Sequence, residues 1–224
     1  MISKWKKWLS YFKEVHIESA PSEINPELYV CMQSGKLQLC SENAIYSYDE
    51  NYHNFSGAFT QMNLGKIREK EVLIMGFGLG SIPLILKNTF GIDAYYTGIE
   101  LDENVVYLYE TYNAKNVKCH LQLICADALI FAATTQETYN LICSDIFLDN
   151  IIPAAFWERD YLENLKRSLN PGGAVLMNTL ALTEINRKEA DAYFENVFKK
   201  VFPKAVKLAV HLNYMLLSDK AWLE

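Results

Sequence analysis

One segment constrains this chain more than any other: the apolar run Glu71-Val-Leu-Ile-Met75 leading into Gly76-Phe-Gly-Leu-Gly80. The run reads as a buried strand, and its alternate glycines let the chain turn sharply and bring backbone close to a neighbour or ligand. Ser81 to Asn88 follows as a helix, with Pro83 tolerable because it falls in the first turn.

The same alternation continues to the end of the sequence. Ala94–Glu100 reads as a second strand and Glu103–Asn113 as a second helix. Lys118–Cys125 and Tyr139–Ser144 are the next strands. A helix from about Phe156 to Ser168 is expected to stop at Asn170-Pro-Gly-Gly173. Ala174–Leu180 is a fifth strand, Glu184–Lys200 another helix, and Ala205–His211 with Tyr214–Ser218 a closing antiparallel pair. The pattern predicts an α/β fold: a doubly wound, mostly parallel seven-stranded sheet occupying residues 66–224. Residues 1–65 differ in texture. They predict an N-terminal helix, a turn region at Pro21–Pro26, and a three-stranded hairpin module of Leu28–Gln33, Lys36–Ser41 and Ala44–Tyr48. So small a module needs the main domain to pack against.

Bulk properties narrow the function. Net charge is −6 and the basic residues form no long stripe, which argues against nucleic acid and for a small-molecule substrate. No apolar run is long enough to span a bilayer, and the basic, aromatic start MISKWKKWLSYFKEV lacks a signal-peptide core, so stable membrane insertion is not expected. Five cysteines without a CxxC pair read as reduced cytoplasmic thiols, and four scattered histidines offer no metal-ligand spacing.

In open α/β sheets ligands sit beyond the carboxyl ends of the strands. Polar residues stand at four such ends here. Gly76, Phe77, Gly78 and Gly80 form the first, a loop whose spacing is G-x-G-x-G, unlike the dinucleotide G-x-G-x-x-G. Glu100, with Leu101 beside it, ends the second strand, where a carboxylate can accept both hydroxyls of a ribose; Asp102 reads mostly as a helix cap. Asp127 and Ala128 follow the third strand, and Asp127 either accepts an adenine amine or caps a helix. Asp145 leaves the fourth strand. It either faces a cosubstrate, orienting an attacking amine and taking its proton, or satisfies loop N–H groups.

These motifs resemble the spermidine-synthase-like branch of the class I S-adenosylmethionine-dependent methyltransferase superfamily. Val72-Leu-Ile-Met-Gly-Phe-Gly-Leu-Gly80 resembles its glycine loop, Gly98-Ile-Glu-Leu-Asp102 its V-E-I-D strand end, and Cys125-Ala-Asp127 its G-D. Tyr139-Asn-Leu-Ile-Cys-Ser-Asp145 resembles its Y-D-x-I-x-x-D. The resemblance implies S-adenosylmethionine or its decarboxylated form as cofactor, Glu100 on ribose, Asp127 on adenine, and Asp145 in the catalytic position. Three departures stand out. Leu79 replaces the aspartate that pairs with the donor's free amine in aminopropyltransferases, Leu148 replaces a second acid with Asp149 one step late, and Asp49 replaces a histidine. Leu79 is expected to leave room for a methionine carboxylate.

The sequence therefore points first to a methyltransferase-like enzyme acting on a small molecule, with Tyr46, Tyr48 and Asp149 on the acceptor side. The alternatives are a divergent spermidine synthase, with Asp49, Glu50, Asp145 and Asp149 replacing the missing carboxylates, and a catalytically inactive binding or assembly protein. Related synthases are commonly dimers, and the aromatic N-terminus suits an interface between two copies.

Overall fold

The computed structural model describes residues 2–25, 27–67 and 69–224. Pro26, the end of the expected turn region, lies outside them. The chain opens with α1 (Lys4–Leu9), whose Ser3 cap accepts a hydrogen bond from the Lys6 N–H. None of its side chains is buried, and Trp5, Trp8 and Phe12 stack on one another in solvent. The next segment departs from expectation. Val15–Ser19 is a strand, β1, so the N-terminal sheet has four antiparallel strands rather than three: β1, β2 (Tyr29–Gln33), β3 (Lys36–Cys40) and β4 (Ile45–Ser47), in that order. β1 is short and polar, and only its pairing with β2 makes it a strand. A helix also absent from the sequence reading, α2 (His53–Phe59), buries Phe55 and Phe59 beneath the main sheet.

The main sheet has seven strands. They are β5 (Glu71–Met75), β6 (Tyr95–Glu100), β7 (His120–Cys125), β8 (Tyr139–Ser144), β9 (Leu169–Leu180), β10 (Val206–Val210) and β11 (Asn213–Leu217). Their order is β10-β11-β9-β8-β5-β6-β7, and only β10 and β11 run antiparallel to their neighbours. Central β5 is buried on both faces as its unbroken apolar run demands: Val72 and Ile74 join the core shared with the N-terminal module, Leu73 and Met75 the opposite core. β7 is an edge, so its alternate side chains are open and Cys125 is exposed rather than packed. Asn170-Pro-Gly-Gly173 does not end the preceding helix in a loop. It lies inside β9 as a bulge, where the register jumps from Tyr139↔Leu169 to Leu141↔Ala174.

Helices α3 (Ser81–Leu84), α4 (Glu103–Tyr112), α5 (Ala128–Thr134), α6 (Arg159–Arg167), α7 (Glu184–Tyr193) and α8 (Lys199–Val201) cover the faces. The two sheets are tied by buried polar contacts as well as by a common core. Ser81 Oγ, at the start of α3, lies 2.7 Å from Ser47 Oγ and accepts a hydrogen bond from the Tyr48 N–H at 3.0 Å. Asp102 caps α4 at the Asn104 N–H and also accepts from Ser22 Oγ (2.5 Å) and Asn25 Nδ2 (2.7 Å), clamping the loop after β1 onto the main domain. Those donors hold its carboxyl below the usual range although burial opposes them. Asp102→Ala removes an almost fully buried charged acceptor and strands three donors. It should lower unfolding free energy by about 3 kcal/mol in urea titration.

Candidate active site

A cavity of about 280 Å³ opens beyond the carboxyl ends of β5 to β8. Gly76 makes its floor. With φ at +81° it occupies backbone space closed to other residues, and a Cβ there would meet the Asp145 carbonyl oxygen at 2.2 Å. Gly78, also left-handed, donates its N–H to Glu100 Oε2 at 3.0 Å, and the Asp102 N–H approaches Glu100 Oε1 at 3.2 Å. Burial nevertheless pushes the Glu100 carboxyl above its ordinary pKa. Asp127 faces the same cavity and caps α5 through the Leu129 N–H at 2.7 Å, so its two expected roles are geometrically compatible. Leu101, Ala128, Ile99 and Phe156 supply apolar wall, while Tyr46 and Asn25 lie on the N-terminal side.

Asp145 also lines this cavity. Its N–H donates to the Met75 carbonyl at 2.8 Å, fixing the strand end, and its Oδ1 accepts from Asn178 Nδ2 at 2.8 Å. Asn178 is almost fully buried on β9 and accepts in turn from Asn213 Nδ2 at 2.9 Å, an arrangement that turns its own NH₂ toward Asp145. Desolvation raises the Asp145 pKa to about 7, against the opposing pull of Asn178 and the neighbouring Tyr52 hydroxyl. The side chain stays partly accessible only because its open face is cavity wall. Glu100, Asp127 and Asp145 thus share one cavity, and no Lys, Arg or His is among the described residues that line it.

A second cavity of about 330 Å³ adjoins the first, with Tyr46, Tyr52 and Phe147 lining both. Tyr48 and Asp149 lie here, not in the first cavity. Asp149 accepts from Ser41 Oγ (2.6 Å), the Asn43 N–H (2.9 Å) and Asn43 Nδ2 (2.9 Å), and its own N–H donates to the Tyr46 hydroxyl, which donates to Asn25 Oδ1 at 2.9 Å. These bonds hold its carboxyl below the usual range.

Other expected site residues lie elsewhere. Phe77 and Gly80 pack against Tyr109, with the Phe77 and Tyr109 rings edge to face at 5.0 Å. Leu79 is fully buried in the core rather than facing the cavity, so its side chain neither fills the cavity nor offers a partner to a donor's amine. Asp49 accepts from the Leu37 N–H and Asn113 Nδ2, and Glu50 pairs with Lys36 at 2.5 Å; neither lines either cavity, so neither replaces a missing substrate carboxylate. Tyr52, Asn178 and Asn213 escaped the sequence reading. The signal for Asn178 was a polar residue inside the apolar strand Ala174–Leu180; for Tyr52 there was none, since only α2 turns it inward.

The sheet order, the antiparallel end and the ligand-sized cavity at the strand ends define a Rossmann-like fold of the class I methyltransferase type. Within it, the chain belongs to the spermine/spermidine synthase family, whose domain matches residues 47–216. A polyamine aminopropyltransferase of Vibrio vulnificus is 24% identical over 129 residues, covering 56% of this chain and 43% of that protein; the match thus spans less than half of the relative's length. A spermidine synthase structure in complex with the transition-state analogue AdoDATO superposes with a TM-score of 0.70 at 14% identity, covering 91% of this chain and 72% of that one. Human methyltransferase-like protein 13 in complex with SAH gives 0.59 at 22% identity, covering 74% and 79%. At such identities the two structural likenesses bear on the fold alone.

The raised pKa of Asp145 has a consequence for stability. Between its unfolded value near 4 and about 7, the folded state keeps a proton that the unfolded chain has lost, so stability falls as pH rises through that window. Asp145→Asn removes this penalty. In urea titrations the variant should exceed wild type by about 1 kcal/mol or more at pH 8, a difference that closes near pH 4.

Proposed function

We propose that this protein is a transferase that uses an adenosyl sulfonium donor and moves a carbon group onto the nitrogen of a small amine. The observation that carries the reading is the charge of the first cavity: three carboxylates and apolar wall, with no cation among the described lining residues. A phosphate-bearing nucleotide finds no partner there, whereas hydroxyls, an aromatic amine and a positive sulfur all do. Glu100 is suited to the ribose hydroxyls, Asp127 to the adenine amine, and the backbone of Gly76 and Gly78 to close approach. Aminopropyl transfer is the first reading, because family membership and the curated relative favour it over methyl transfer. Methyl transfer is the second, and Leu79 favours it: where the resemblance calls for an aspartate on the donor's free amine, this side chain is apolar and buried.

The bound donor supplies an electrophilic carbon whose bond to sulfur breaks with the electron pair left on sulfur. This chain's residues do the rest. Asp145 orients the acceptor amine and takes the proton released as the new C–N bond forms. Asn178 and Tyr52 hold its carboxylate in one orientation. Tyr46, Tyr52 and Phe147, shared by both cavities, position acceptor against donor, so much of the rate gain comes from alignment.

Calorimetric titration with S-adenosylmethionine, its decarboxylated form and S-adenosylhomocysteine tests the donor; mass spectrometry of products with mixed amines tests the reaction. Tighter binding of the decarboxylated form and a gain of one aminopropyl group support the first reading, and the parent donor with a methyl gain the second. Binding of none sinks both. Asp145→Asn should lower kcat by about 100-fold or more and weaken the charged donor only modestly, since Glu100 and Asp127 still hold it. In wild type, kcat/KM should fall as pH drops through about 7, where Asp145 takes up its proton.

A further inference from the structure

The second cavity carries chemistry that family membership does not specify. Its rim is aliphatic: Ile45, Leu182 and Leu212 line it, yet they remain 50%, 55% and 45% exposed. Isolated exposed leucines are ordinary, but three around one opening, backed by Leu180 and Phe147, make a continuous apolar wall. The cavity's polar complement is poor in negative charge. Asp149 is its one carboxylate among the described lining residues, and it already accepts three hydrogen bonds, from Ser41 and Asn43. A carboxylate offers about four acceptor sites, whereas an ammonium brings three donors. His53 and His211, whose rings meet edge to face at 6.0 Å, and the hydroxyls of Tyr46, Tyr48 and Tyr52 add no further carboxylate to the groove. A polycation would therefore bury a second ammonium against one carboxylate that is already bonded three times, with only neutral amide and hydroxyl oxygens besides. An apolar body would instead cover exposed leucine.

We infer that this groove selects a primary amine bearing an apolar body, alkyl or aryl, in preference to a polyamine, with Ile45, Leu182 and Leu212 holding that body and Asp145 meeting the amine. The inference rests on the transferase reading. The groove is continuous with the donor cavity through Tyr46, Tyr52 and Phe147, and Asn178 lines it while donating to Asp145, so an amine seated at Asp145 projects its body into it.

The test compares straight-chain monoamines from butylamine to octylamine with α,ω-diamines of equal length, on the whole protein with whichever donor it binds. For the monoamines kcat/KM should rise about fourfold per added methylene, the equivalent of about 0.8 kcal/mol per buried CH₂. At each length the monoamine should exceed its diamine by about tenfold or more. The double variant Leu182→Asp, Leu212→Asp should flatten the monoamine series and leave donor affinity unchanged. Calorimetry of the same amines with S-adenosylhomocysteine present reads the groove without turnover and should give the same order. A flat wild-type series, or diamines preferred at every length, overturns the inference. So does a wild-type dimer that the double variant converts to monomer, for the rim would then belong to a second copy. Failure of every adenosyl compound to bind overturns the donor reading instead.

Discussion

The ends of three strands meet at Gly76, and the site exists because that residue has no side chain. Its N–H and that of Phe77 both donate to the Ile99 carbonyl on β6, while the Asp145 N–H donates to the Met75 carbonyl on β5. The backbone of Asp145 then lies where any Cβ at position 76 would have to be. One left-handed glycine thus closes β5 on both neighbours, brings Asp145 to the cavity, and leaves Gly78 in place to hold Glu100. A larger residue at 76 would push the end of β8 away and carry Asp145 with it.

The two cavities are built from different materials. The first is made largely by backbone and strand ends: glycine turns, Glu100 finishing β6, and Asp127 capping α5. Its geometry is fixed by the sheet itself. The second is assembled largely from side chains on separate pieces, namely β4 with the turns that flank it, α2, the loop after β8, the end of β9 with the segment after it, and the hairpin of β10 and β11. Hydrogen bonds between loops hold those pieces, as when Asp149 binds Ser41 and Asn43 across a sequence gap of over a hundred residues. Such contacts can be exchanged one at a time without disturbing the sheet. A chain can therefore keep the first cavity while the second changes chemistry.

This division explains what was legible in the sequence. Motifs at strand ends report local backbone, so Gly76, Gly78, Glu100, Asp127 and Asp145 could be placed in one cavity from their order alone. The same reasoning misplaced Phe77 and Gly80, because a motif fixes where a loop runs but not which of its side chains turn inward to Tyr109. β1 was illegible because Val15–Ser19 has little apolar character and becomes a strand only through β2. The Asn-Pro-Gly-Gly run misled in the other direction. These residues usually break structure, but paired strands can absorb them as a bulge on β9. Tyr52, Asn178 and Asn213 converge from three distant segments, and no local pattern encodes that meeting.

On the proposed reading, the charge of the first cavity also links donor binding to the protonation of Asp145. Burial holds both Glu100 and Asp145 toward the protonated form, and the charge of Glu100 adds to the shift at Asp145. On the proposed reading, a sulfonium in that space favours the charged form of each. Linkage requires the converse: ionised carboxylates tighten the sulfonium by the same free energy. The departing thioether is neutral, so once the group has moved that attraction disappears while Asp145 holds the acceptor's proton. On that reading the electrostatic part of the carboxylates' hold on the donor ends with the reaction itself, leaving the hydrogen bonds to ribose and adenine.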